Sequence, residues 1–168
     1  MYTVGERVVY SIHGVCTVVA LEKRRVDRKT VEYLALEPLE HPGSRYYVPI
    51  NNEIALSKIR PLLTPVQMEE LLRCAAGSQD SWIEQEGLRK IRYRELLSGN
   101  DRKALLSMIA QLYRYKEELV AKGRKFHLTD ENFLRDAEKM IISEIAYIMK
   151  LPVLDARNYL HQMLCVRE

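Results

Sequence analysis

One indole and a row of cations carry most of the chemical potential of this chain of 168 residues. Trp82 is the single tryptophan. Arg89, Lys90, Arg92 and Arg94 follow it in the stretch DSWIEQEGLRKIRYR, residues 80–94. An indole offers a flat face that can stack on a base or wedge into a base step. Guanidinium and ammonium groups offer donors to phosphate oxygens. The same residues have a second reading. A tryptophan packs as an anchor with its N–H bonded to a neighbour, and arginines on a helix face water. Residue types alone leave both readings open.

The charge is concentrated locally. Net charge is only +3. Residues 87–103 set Arg89, Lys90, Arg92, Arg94, Arg102 and Lys103 against Glu95 and Asp101. Residues 114–125 set Arg114, Lys116, Lys122, Arg124 and Lys125 against Glu117 and Glu118. A local excess of this kind attracts phosphates without making the whole protein basic.

Catalytic constellations are missing from the sequence. The seven glycines are scattered and form neither GxxxxGKS/T nor GxGxxG. There is no GxSxG elbow and no HExxH. Glu117 and Glu118 are neighbours, which on a helix do not face each other. Cys16, Cys74 and Cys165 are odd in number and far apart, so neither a disulfide framework nor a zinc site is expected. They read as buried or partly buried thiols. The histidines, at 13, 41, 127 and 161, show no helical metal-pair spacing. The expectation is a protein that is no enzyme and carries no cofactor or metal.

The elements that position these residues fall into two halves with different periods. With 47% hydrophobic and 29% charged residues, the profile is that of a soluble globular protein. No apolar run approaches the ~20 residues of a membrane span, and the N-terminus lacks a signal-peptide core. Residues 1–62 read as strands at 8–10, 14–26, 30–39, 45–50 and 54–62, parted by turn signals. They suit a small, strongly bent sheet or barrel with edges open for pairing.

Beyond Pro61 the period becomes helical. Thr64-Pro65 with Gln67 predicts a capping box and a helix to Ala76, closed by a left-handed Gly77. A second helix is expected from Ser81 to Ser98-Gly99. A third spans Asn100 to Lys122, with Leu105, Ile109, Leu112 and Leu119 on its stripe. Thr129 caps a fourth carrying Leu134, Ala137, Ile141, Ile145 and Ile148, and Pro152 opens a short fifth. Five helices with short connections imply a compact bundle over 64–168.

On the second helix, Trp82, Glu86, Arg89 and Tyr93 share one stripe. Trp82 then sits in the first turn, at the positive end that binds anions. The apolar positions Ile83, Leu88, Ile91, Leu96 and Leu97 lie off this stripe. Gly87, mid-helix at ~1 kcal/mol relative to Ala, suggests a close approach by something.

The order of features has a counterpart. It is carried by YTVGERVVYSIHGVCTVVALEKR (2–24), EYLALE (32–37) and YYVPINN (46–52) in the first half. In the second half it is carried by LLSGND (96–101), ALLSMIAQLY (104–113) and LTDENFLRDAEKMIISEIA (128–146). Together these resemble the CarD/CdnL family of bacterial RNA polymerase-binding transcription regulators. The opening is shared with the polymerase-binding module of transcription-repair coupling factor, but no Walker motif of that translocase is present.

The resemblance implies an α+β, two-domain protein. A small Tudor-like (SH3-like) β-barrel over 1–62 would pair a strand with the RNA polymerase β subunit, through Arg24, Tyr47, Val48 and Pro49. Relatives have an arginine where this chain has Tyr47. The helical domain over 64–168 would contact promoter DNA at the upstream edge of the bubble. Trp82 would enter the minor groove there, and Arg89, Lys90, Arg92 and Arg94 would hold phosphates. The protein would be cytoplasmic, nucleoid-associated and monomeric, with no membrane contact. A second reading is an adaptor that tethers another protein to polymerase without binding DNA.

Overall fold

The computed structural model describes residues 1–165. The chain divides into two compact units, Met1–Leu62 and Leu63–Glu168. It has the α+β class expected from the two periods.

The first unit is one antiparallel sheet. Its strands are β1 Arg7–Tyr10, β2 Val15–Val26, β3 Lys29–Pro38, β4 Tyr46–Pro49 and β5 Ile59–Pro61. They lie in the order β4-β3-β2-β1-β5. Val8, Cys16, Val18, Leu34, Leu36, Val48 and Ile59 form the core on one face. Asp27 and Arg28 turn β2 into β3 with φ of 48° and 65°, the left-handed pair whose twist matches a hairpin. The stretch 54–62, expected as one strand, is divided. Asn52 accepts a hydrogen bond from the Ala55 N–H and starts the single turn α1, Glu53–Leu56, ahead of β5. That side-chain cap outweighs the strand propensity of Ile54.

Two details of the sheet decide what it presents. Val18 pairs with Leu36, but Ala20 pairs with Ala35, so Val19 is an extra residue in β2. Such a bulge re-aims the side chains that follow it. Cys16 and Val18 face the core before it; beyond it, Ala20, Glu22 and Arg24 turn to the opposite face. The second detail is on β4, which is an edge. The Ile50 N–H donates to the Glu32 carbonyl at 2.9 Å, and Leu34 pairs with Val48. Alternation then directs the backbone groups of Tyr46 and Val48 to β3, and those of Tyr47 and Pro49 to the free edge.

The second unit holds α2 Pro65–Ala76, α3 Glu86–Ser98, α4 Arg102–Ala121, α5 Leu128–Met149 and α6 Val153–Cys165. Thr64 and Gln67 form the capping box, with proline opening α2. Gly77 has φ of −83° and is not left-handed. The left-handed residues stand after α4, at Gly123, and after α5, at Lys150. α4 is the central helix, buried without a break from Leu105 to Tyr113. A helix buried on every side lies in the middle of a bundle. Met68 and Leu72 of α2, Ile141 and Ile145 of α5, and Leu160 of α6 are among the side chains that complete the core.

The second predicted helix begins at Glu86, not Ser81, so Trp82 lies outside it. Side chains capture the carbonyls that a longer helix would need. Gln111 Nε2 donates to the carbonyls of Asp80 (3.0 Å) and Ser81 (2.8 Å). Arg89 Nη1 donates to those of Ile83 (2.8 Å) and Glu84 (3.3 Å). A helix from Ser81 would have used these oxygens for N–H groups four residues further on.

The buried face of α3 also differs from the expectation. Arg89 and Tyr93 point inward, while Leu88 and Ile91 are 54% and 55% exposed. The apolar residues of this stretch circle the helix axis and define no face, whereas 89 and 93 lie one turn apart. Gly87 has open space around it, with nothing within 4 Å of an added Cβ.

Candidate functional site

Five side chains meet on the outer face of the sheet. The Arg24 guanidinium lies over the Tyr47 ring, 3.6 Å from its centroid. Its Nε and Nη2 donate to Glu22 Oε2 at 3.2 and 3.0 Å. Arg45 approaches Glu22 (3.8 Å) and Glu37 (4.0 Å). The Val19 bulge puts Arg24 on this face, and the pairing of Ala35 with Tyr47 brings β4 alongside. Tyr47 therefore takes no ion-pairing role of its own. It supplies a flat surface that fixes Arg24. Of the other two residues predicted for this contact, Pro49 sits half-buried at the edge and Val48 is buried. The Val48 side chain belongs to the core and offers a partner nothing.

A second aromatic group lies at the turn after β1. The His13 ring stacks 3.8 Å from Tyr46 and 5.4 Å from Tyr10. Burial holds the His13 pKa below the ordinary histidine value.

The family model of the CarD-like/TRCF RID domain matches residues 2–61, the whole of the sheet. The match spans the sheet unit and stops before the helical unit. The CarD/CdnL resemblance is borne out in the sheet unit. A CarD-like domain suggests an interaction with RNA polymerase. No curated protein matches the chain. In the CarD-like unit, the free edge of β4 and the Arg24–Tyr47 stack are the features suited to meeting another chain.

The helical unit arranges Trp82 differently from the expectation. The indole is half-buried on the segment before α3. Tyr115 of α4 stacks on it at 3.6 Å with planes 14° apart. The Arg89 guanidinium stands 4.6 Å from its centroid. The acidic Glu86 opens α3 and pairs with Lys90 at 2.6 Å, so the anion-binding helix end expected beside the indole is absent.

The four predicted cations divide into two groups. Arg89 is buried and paired to Asp130 of α5 through Nε and Nη2, both at 2.9 Å. With its remaining donors on backbone carbonyls, it holds the fold and presents nothing to a phosphate. Lys90, Arg92 and Arg94 stay on the surface. Arg92 meets Glu95 at 3.6 Å; Arg94 is exposed and has no ion-pair partner among the described residues. Tyr115, Gln111 and Asp130 escaped the sequence reading. Asp130 reads there as an acidic residue in the first turn of α5, ordinary at a helix start.

The thiols divide as well. Cys16 is buried and Cys165 half-buried, but Cys74, expected to be partly covered, is exposed. Among the described residues no helix is long and apolar enough to cross a membrane.

Proposed function

We propose that this protein is a transcription regulator without enzymatic activity that binds the RNA polymerase β subunit and stabilises the open promoter complex. The observation that carries the polymerase half is the Arg24–Tyr47 pair beside the open β4 edge of a CarD-like domain. Backbone groups at such an edge accept an added strand. A guanidinium fixed on an aromatic ring loses little further freedom when it meets a carboxylate.

The DNA half rests on Trp82. Tyr115 stacks on one face of the indole, the Arg89 guanidinium stands 4.6 Å from its centroid, and the ring is half-exposed. A ring already oriented contacts a base step at lower entropic cost than a free one. Lys90, Arg92 and Arg94 supply the phosphate contacts, and Arg89 keeps α3 in place. Binding that favours melted over closed DNA shifts the equilibrium by its differential affinity, tenfold for ~1.4 kcal/mol. Attachment to polymerase raises the local concentration of the helical unit at the promoter, so weak DNA contacts suffice.

One observation favours the adaptor as a second reading. Leu88 and Ile91 stand exposed on α3 beside Arg94, an arrangement that suits an acidic protein with an apolar patch as well as it suits DNA. The deciding measurement is the lifetime of competitor-challenged open complexes formed by RNA polymerase holoenzyme. The proposed function requires the wild-type protein to lengthen that lifetime. An unchanged lifetime, with polymerase binding intact, would leave the adaptor.

A further inference from the structure

Beyond this function, a group of donors on the helical unit has metal-ligand chemistry. We propose that Glu117, His161 and Cys165 form a binding site for a zinc-class divalent ion. Glu117 projects from α4, and His161 and Cys165 stand one turn apart near the end of α6. Cys165 Sγ lies 3.6 Å from His161 Nε2. Glu117 Oε1 lies 4.0 Å from the same nitrogen. One donor atom from each residue falls within 4.8 Å of the other two.

These spacings fit the ion. Zinc bonds of about 2.3 Å to sulfur and about 2.0 Å to nitrogen, at a tetrahedral angle, set the two donors about 3.5 Å apart. The sulfur–nitrogen distance already meets this. The carboxylate, on an exposed side chain, needs only a small rotation. A thiolate, an imidazole and a carboxylate are the borderline ligand set that zinc and cobalt accept and that magnesium and calcium do not. Three protein donors leave a fourth position for water. Glu117 and His161 are exposed, so a hydrated ion reaches the group directly. The Tyr113 ring lies 4.8 Å from the His161 ring and steadies it. Binding displaces the thiol proton and ties the end of α6 to α4.

The site is separate from the indole. Tyr115 lies two residues from both Tyr113 and Glu117, about 200° around α4, so metal binding should leave the Trp82 face unchanged.

Cobalt reports on the site because its thiolate bond absorbs in the near ultraviolet. Titration of the reduced chain with Co²⁺ should produce a thiolate-to-cobalt band at one equivalent, and Zn²⁺ should abolish it. Cys165→Ser should remove the band, while Cys74→Ser should keep it. His161→Ala should weaken binding more than about tenfold, since loss of a group that merely orients a ligand costs about 10–100-fold. Absence of the band, or a band that follows Cys74, overturns the site. Retained far-ultraviolet dichroism in each variant excludes unfolding as the cause.

Discussion

Arg89 and Asp130 close on each other in two parallel N–H···O bonds of 2.9 Å between α3 and α5, with side chains 7% and 2% exposed. Removing one partner of such a pair strands a buried charge, which costs about 3–5 kcal/mol. Arg89→Ala should lower the denaturant midpoint of the helical unit accordingly. Arg89→Lys should rescue little, because an ammonium cannot reproduce the fork. Arg89→Leu with Asp130→Leu should recover most of the loss. Wild-type stability in Arg89→Ala, with weakened DNA binding, would return this arginine to a phosphate-contact role.

Trp82 reports on its own environment because it is the single indole. Tyr115→Leu removes the stacked ring. The emission of the free chain should shift to the red and acrylamide quenching should rise. Stability should fall by about 0.5–1.5 kcal/mol, the range for an aromatic pair. Trp82→Ala should fold, keep its polymerase affinity and shorten open-complex lifetime. If it fails to fold, the indole is a structural anchor.

Arg24 is exposed and its partners are on the surface, so Arg24→Glu should leave the melting temperature unchanged. Polymerase binding, followed by co-purification with the β subunit, should be lost. Tyr47→Ala frees the guanidinium and should weaken the same interaction less. Equal binding by all three proteins would remove this face from the interface.

The thiols should react in order of access. Burial pushes the Cys16 thiol up to about 11, and the thiolate is the reactive form. Cys74, exposed on α2, should label first. Cys16 should label only on unfolding of the sheet unit, in step with the denaturant transition. Prompt labelling of Cys16 under native conditions would contradict the packed core.

His13 gives the sheet unit a pH dependence of defined sign. Its folded pKa lies below its ordinary value of 6.5 because of burial. The unfolded chain therefore takes up a proton first as pH falls. The contribution of His13 to stability is complete above 6.5 and is lost as pH drops through the folded value. Between pH 7.5 and 5.5 the denaturant midpoint should fall, and His13→Asn should flatten that part of the curve.

Most of the architecture was legible because it depends on period and punctuation. Thr64-Pro65 with Gln67 places α2 at its observed start, and the stripe of Leu105, Ile109 and Leu112 places α4. The start of α3 is not legible because the groups that set it are remote in sequence. Hydrogen bonds from Gln111 and Arg89 to carbonyls between 80 and 84 stop the helix short, and nothing near Trp82 announces them. Arg89 was read as a surface cation because burying it requires Asp130, 41 residues away. Arg24 and Tyr47 stand out only through the family resemblance. The bulge that brings them onto one face has no signature in VCTVVALEK.

Pro49 has a consequence for how the open edge behaves. The outward positions of β4 alternate, and at Pro49 the edge has no N–H to give. Its carbonyl already accepts from the Asn52 N–H at 3.3 Å. A visiting strand therefore finds its backbone match at Tyr47 and a stop at the next outward residue. The added ladder is thus short. The same stop keeps a second copy of the chain from extending the ladder, so the edge admits a short guest strand while resisting fibrous self-assembly.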